Sequence, residues 1–259
     1  MKDKNRKSRR TYEAKILGVR FNKSDRARLL YKINERMKRG KRTVIFTPNP
    51  QILLKACKDS ELKKALALSS FNIPDGIGVI LASHLLGCPL KERISGIDLG
   101  EDILALAARH SYSVFLLGGK HGVARRAARE LQSRYEGLRI CGTHHGYFED
   151  NERLIAQISR LRPDIILVCL GSPKQEKWIM NNLSALPSVR LAIALGGSLD
   201  VWSGKIKRAP SGFRSLGLEW LWRTVREPKR ARIFCDIPCF LFCVIKQKAS
   251  RKKRNADIS

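Results

Sequence analysis

The side chains with the most chemical potential fall just after apolar, strand-like runs. Thr47 and Asn49 follow VIF at 44–46, Asp75 sits in IPDGIG at 73–78, and Gly118 and Gly119 end SVFLLGG at 113–119. Gly146 and Tyr147 follow LRICGTHH, Gly171, Lys174 and Gln175 follow DIILVCL, and Gly196, Gly197 and Asp200 follow LAIAL. In open α/β sheets ligands bind outside the carboxyl ends of the strands. Glycine there lets backbone N–H groups approach a phosphate, and the following helix N-terminus favours the anion. A single glycine turn is also what chain reversal needs. Three of them, after 113–117, 164–170 and 191–195, point to a nucleotide or sugar-phosphate site. LLGGKHGVA departs from G-x-G-x-x-G and no G-x-x-x-x-G-K-[ST] occurs, which counts against a dinucleotide dehydrogenase and a P-loop ATPase.

A carboxylate held between Pro74 and Gly76 could serve as a general base once partly desolvated. Asp-Gly is also a common turn dipeptide, and on the local residues alone a turn or helix-cap role is the simpler reading of Asp75. No D-x-D metal motif occurs, and His121, His144 and His145 do not stand at metal-ligand spacing with cysteine, so no metal or other cofactor is expected. Cys235, Cys239 and Cys243 share one helical face and read as small apolar residues on a buried or membrane-facing stripe.

The elements that must position these residues alternate. Strand-like runs at 44–50, 113–119, 138–148, 164–170 and 191–195 are separated by helical patterns, one of them spanning 50–70. That alternation predicts parallel βαβ units and an α/β fold, a Rossmann-like, mostly parallel sheet with helices on both faces. After Gly204 the strand signals fade, and LGLEWLWRTVREPKRARIF reads as an amphipathic basic helix interrupted near Pro228. The expected organisation is a disordered basic N-terminus over 1–12, an α/β catalytic domain over 13–204, a basic helical C-terminal appendage over 205–246, and a disordered basic tail over 247–259.

The 259 residues carry a formal charge of +28, unevenly spread: +13 over 1–43, +4 over 44–203 and +11 over 204–259. Basic ends around an ordinary middle call for an anionic partner. Residues 1–10 are basic with no long apolar run behind them, so they make a poor secretory signal. No 18 consecutive apolar residues occur. Ile233–Ile245, bracketed by cations, suits either an anionic membrane interface or a core helix. Charge alone would also fit nucleic acid, but no helix-turn-helix, zinc finger or aromatic RNA-binding motif is visible.

TPNP at 47–50, IPDGIG at 73–78, ERISGIDL at 92–99, LLGG at 116–119, HGYF at 145–148, LGSPKQEKW at 170–178, GGSLDVWSG at 196–204, KRAP at 207–210 and LEWLWR with EPKR at 218–230 occur in one order. Together, from about residue 15 to residue 245, they resemble the WecG/TagA/CpsF family, glycosyltransferase family 26. The resemblance implies an inverting enzyme that moves N-acetylmannosamine, or its uronic acid, from a UDP-sugar to N-acetylglucosamine on undecaprenyl diphosphate, in teichoic acid or other surface polymer synthesis. It implies that Asp75 is the base and that Thr47 and Asn49 join it. Arg93, Tyr147, Gln175 and Asp200 would face sugar or nucleotide, and Arg223, Arg226, Arg230 and Arg232 the lipid diphosphate. The implied place is the bacterial cytoplasm, peripheral on the inner face of the membrane, as monomer or homo-oligomer and without nucleic acid. The other class kept open is a non-catalytic accessory subunit, against which the retention of Thr47, Asn49, Asp75 and Gln175 argues.

Overall fold

A computed structural model describes residues 13–226 and 232–256. The chain opens with an antiparallel hairpin, β1 (Glu13–Ile16) and β2 (Val19–Asn22), followed by helix α1 (Arg26–Lys38). Six strands then build one parallel sheet: β3 (Thr43–Phe46), β4 (Phe71–Asn72), β5 (Ser113–Gly118), β6 (Arg139–His144), β7 (Ile165–Cys169) and β8 (Leu191–Ala194). Their order is β4-β3-β8-β7-β5-β6.

Every residue of β3, β7 and β8 is buried, as a parallel sheet covered on both faces requires. Side chains alternate between two cores. Phe46, Phe115, Leu117, Ile166 and Val168 face one; Ile45, Val114, Leu116, Ile165 and Leu167 face the other. The first core is closed by the hairpin and by α2 (Pro50–Lys58), α3 (Ser60–Leu68), α4 (Ile77–Leu85), α7 (Asn151–Leu161) and α8 (Lys174–Asn182). The second is closed by α1, α5 (Gly96–Arg109), α6 (Val123–Arg134) and α9 (Ser198–Trp202). The expected α/β sheet with helices on both faces is therefore present. The region 50–70 is two helices, because Asp59 ends α2 in extended backbone and caps α3 by accepting from the Leu62 N–H at 3.0 Å.

Beyond the sheet lie α10 (Ser211–Ser215), α11 (Glu219–Arg226) and α12 (Ile233–Ala256). Aromatic pairs join them: Phe213 with Trp222 at 5.4 Å between centroids, and Trp220 with Phe234 at 5.9 Å. Each such pair adds about 0.5–1.5 kcal/mol beyond its burial. α12 is part of the molecule's first core through Phe240 and Val244, and Gln51 of α2 donates to Asp236 at 2.6 Å. Its buried stripe is Phe240 and Val244, whereas Cys235 and Cys239 are exposed and Cys243 half-buried.

The expectation of a disordered tail from 247 is corrected over most of its length, since α12 continues to Ala256. Lys, Arg, Gln and Ala are good helix formers. Gln247 accepts from the Leu17 N–H at 2.7 Å, and Gln247 and Arg251 donate to the Lys15 carbonyl at 3.1 and 2.7 Å, tying the helix to the hairpin. The expected disorder of 1–12 and the break near Pro228 lie outside the described residues. Among the described residues no helix is long and apolar enough to cross a membrane.

Candidate active site

The strand order sets where a ligand fits. From β5 the chain crosses outward to β6, whereas from neighbouring β7 it crosses the other way to β8. Between β5 and β7 the connections diverge and leave a crevice at the carboxyl edge. Gly118 and Gly119 end β5, Gly171 follows β7, and Gly146 follows β6. The loops are interlocked: the Gly146 N–H donates to the Gly119 carbonyl at 2.8 Å, and the Gly119 N–H to the Cys169 carbonyl at 3.4 Å. Glycine is required at 118, where φ is +138° and a Cβ would lie 2.2 Å from the Cys169 carbonyl oxygen.

The helix caps differ along this edge. Asn49 caps α2 after β3, and Asp150 caps α7 after β6, each by accepting a backbone N–H. α6 and α8, which follow the two switch-point strands, have no side-chain cap, and neither have α4 and α5. The Val123 N–H of α6 and the Gln175 N–H of α8 donate to the Lys120 and Gly171 carbonyls at 3.1 and 2.9 Å, and both helix starts carry the positive end of the helix dipole. An anion at the β5/β7 crevice would face these two ends.

Asp75 lies at the other end of the edge. The Ile94 N–H donates to the Pro74 carbonyl at 3.1 Å, which holds the ERISG loop against IPDGIG. Gly96, the first residue of α5, lies between two polar side chains: a Cβ on it would be 3.2 Å from Thr47 Oγ1 and 3.5 Å from Asp75 Oδ2. Thr47 and Asp75 thus converge on one small volume that glycine keeps open. Thr47 donates to the Ala194 carbonyl at 3.3 Å, linking the ends of β3 and β8. Asn49 Oδ1 accepts from the Ile52 N–H at 3.0 Å, so part of its amide is committed to the α2 cap. From β3 across β8 and β7 to β5 is three strand spacings, about 14 Å, a span suited to an extended ligand.

The other expected residues distribute as follows. Gln175 is buried, accepting from the Gly196 N–H at 3.0 Å and donating to Glu176 at 3.0 Å, so it braces the Gly196–Gly197 turn against α8. Lys174 donates to the Gly146 carbonyl at 3.2 Å and lies 4.9 Å from the Phe148 ring centre, bridging the β6 and β7 loops. Tyr147 is exposed. Asp200 pairs with Lys205 at 3.0 Å. Arg93 donates to the Arg214 carbonyl at 2.7 Å, tying the Asp75 side of the site to α10. A Cβ on Gly217 would sit 3.1 Å from Ile77 Cβ, so the segment leading to α11 lies on the first turn of α4, next to Asp75. Arg223 and Arg226 fall on α11, Arg232 is exposed just before α12, and Arg230 lies outside the described residues.

Three features were not anticipated. Arg208 of KRAP pairs with Asp98 and, at 3.8 Å, with Glu101, both on α5, fastening the chain after Gly204 to that helix. Glu176 is buried, and burial pushes its carboxyl above the ordinary range despite the Gln175 bond. The rings of His121 and His145 stack at 3.7 Å, with His144 at 4.4 Å from His145, beside the β5–β6 glycines. Burial, then repulsion from His121 and His144, lowers the His145 pKa. Two of these were signalled in part, by a charged residue in IDL and KRAP and by HH in one loop. The partners come from distant loops.

The model of the Glycosyl transferase WecG/TagA/CpsF family matches residues 14–254. An N-acetylglucosaminyldiphosphoundecaprenol N-acetyl-beta-D-mannosaminyltransferase of Bacillus subtilis (strain 168) is 38% identical over 209 residues, 81% of each chain. A protein of the same name from Staphylococcus aureus (strain MRSA252) is 35% identical over 246 residues, 94% of this chain and 96% of the relative. With nine motifs in register on an α/β sheet and a family match over nearly its whole length, the chain belongs to the WecG/TagA/CpsF family of glycosyl transferases.

Proposed function

We propose that this protein transfers N-acetylmannosamine from its UDP-sugar to N-acetylglucosamine linked through diphosphate to undecaprenol, with inversion at the anomeric carbon. The observation that carries the reading is the convergence of Asp75 and Thr47 on the space kept open by Gly96, at one end of a glycine-lined edge. The names of the relatives support the acceptor and the sugar. In this reading the UDP lies over the β5/β7 crevice, where uncapped α6 and α8 and the Gly118–Gly119 and Gly171 turns meet its diphosphate. The sugar reaches towards Thr47.

The transfer is a single displacement. Asp75 takes the proton of the acceptor hydroxyl as that oxygen bonds to the anomeric carbon, and the bond to UDP breaks on the opposite face. Charge then builds on the leaving diphosphate. Backbone N–H groups and the arginines at 223, 226, 230 and 232 stabilise it and the lipid diphosphate, since guanidinium forks match phosphate oxygens. No metal ion is assigned a place in this step. The contact of Gly217 with Ile77 and the Arg93–Arg214 bond support a C-terminal segment closing beside Asp75. Phe234, Phe242 and Ile245, exposed on α12, support peripheral attachment to a membrane on the side where the lipid acceptor resides.

Asp75→Asn, assayed with UDP-N-acetylmannosamine and a short-chain lipid-diphosphate acceptor, should keep the wild-type melting curve and lose about 100-fold or more in kcat. Near wild-type turnover would remove Asp75 from the role of base.

A further inference from the structure

We propose that the cleft between the β1–β2 hairpin, α3 and the C-terminal half of α12 binds a phosphate ester, the head group of an anionic glycerophospholipid. The cleft has a volume of about 450 Å³. Among the described residues, Lys15, Lys63, Lys246 and Arg251 line it and no carboxylate does. Its walls are fixed. Gln247 grips both the Leu17 N–H and the Lys15 carbonyl, and Arg251 donates to the same carbonyl. Gly18, at φ +86°, lets the Lys63 stem lie across the hairpin turn: a Cβ there would be 3.3 Å from Lys63 Cε and 3.7 Å from its Nζ.

Lys15, Lys63 and Lys246 have no carboxylate partner among the described residues. Four cations around one concavity repel one another, and a phosphate ester relieves that repulsion while accepting hydrogen bonds from each. The cleft is separate from the transfer site. Asp236, which bonds Gln51 near Asn49, is ten residues from Lys246, the nearest α12 cation of the cleft, about 15 Å along α12.

A phosphate ester could be borne by a lipid or by a soluble molecule. The lipid is favoured because Phe242 and Ile245 are exposed on the same stretch of helix, and Leu81 and Leu85 are exposed on neighbouring α4. A head group in the cleft would place these side chains at the acyl boundary. The choice of lipid rests on the peripheral attachment proposed above; the anion site does not.

The test uses the full chain and vesicles of phosphatidylcholine with or without phosphatidylglycerol, alongside glycerol 3-phosphate followed by phosphorus NMR and a duplex DNA arm. Lys63→Gln with Lys246→Gln, and Ser250→Trp, which fills the cleft at constant charge, should each weaken association with phosphatidylglycerol vesicles about tenfold or more. A control that removes two exposed charges elsewhere, Lys38→Gln with Lys41→Gln, should cost about twofold or less. Binding of glycerol 3-phosphate that Ser250→Trp abolishes, with vesicle binding unchanged, would keep the phosphate-ester site and assign it a soluble ligand. Equal losses in cleft and control variants, no loss in Ser250→Trp, or wild-type preference for DNA that Ser250→Trp removes would overturn the proposal. Turnover with a water-soluble acceptor should stay at the wild-type value in every variant. A wild-type protein without turnover would sink the transferase reading and leave the vesicle result readable.

Discussion

Asp75 and Gln175 stand at separate points of one sheet edge and are held in different ways. Asp75 is on a tight Pro-Asp-Gly turn, half-buried beside Thr47, where a carboxylate can accept a proton. Gln175 spends both ends of its amide inside the protein, on the Gly196 N–H and on Glu176, so its effect on a ligand passes through the glycine turn it braces. Residue types that belong at such a site were readable from the chain, whereas their partners were not. The sequence shows Asn49 after a strand but not that its oxygen caps α2, and it shows Lys174 but not that its amine reaches the Gly146 carbonyl. His145 offers a test at this scale. Burial and the neighbouring rings of His121 and His144 hold its pKa below the ordinary histidine value. The folded state therefore favours the neutral ring. The unfolded chain binds this proton more readily, so the residue becomes destabilising as pH falls through the ordinary histidine range. His121→Ala should raise the His145 pKa, read by NMR titration; an unchanged or lower value would contradict the assigned cause.

The elements that carry the site are held by close backbone approaches. Gly118 brings β5 against the end of β7, with no room for a side chain. Gly118→Ala should cost roughly 2–4 kcal/mol of stability, through positive φ and steric displacement together, and chemical denaturation would report it. A midpoint equal to that of wild type would show that the β5/β7 junction tolerates separation. Strands β5, β7 and β8 were legible because they are buried on both faces and read as unbroken apolar runs. β4 was less so, having two residues, and the hairpin is defined by its pairing and by its docking on α12. The stretch after Lys246 looks like a solvated tail because its composition is basic. Its order comes from contacts with Lys15 and Leu17, more than 200 residues away, which local composition does not reveal.

Across the whole molecule, the fold gathers what the sequence keeps apart. Lys15 of the hairpin, Lys63 of α3, and Lys246 and Arg251 of α12 meet at one corner, while the sheet edge carries Asp75, Thr47 and the glycine turns. α12 joins the two, reaching from Gln51 beside the site to the cationic cleft. The cations of the cleft thus stand apart from the sheet edge that carries Asp75 and Thr47. The central claim is inverting transfer by that site. Incubation with UDP-N-acetylmannosamine and a short-chain N-acetylglucosaminyl lipid diphosphate, followed by NMR of the product's anomeric centre, tests it most directly. We predict a disaccharide on the lipid with the anomeric configuration opposite to that of the donor. Retention of the donor's configuration, or no transfer from any UDP-sugar, would contradict the account.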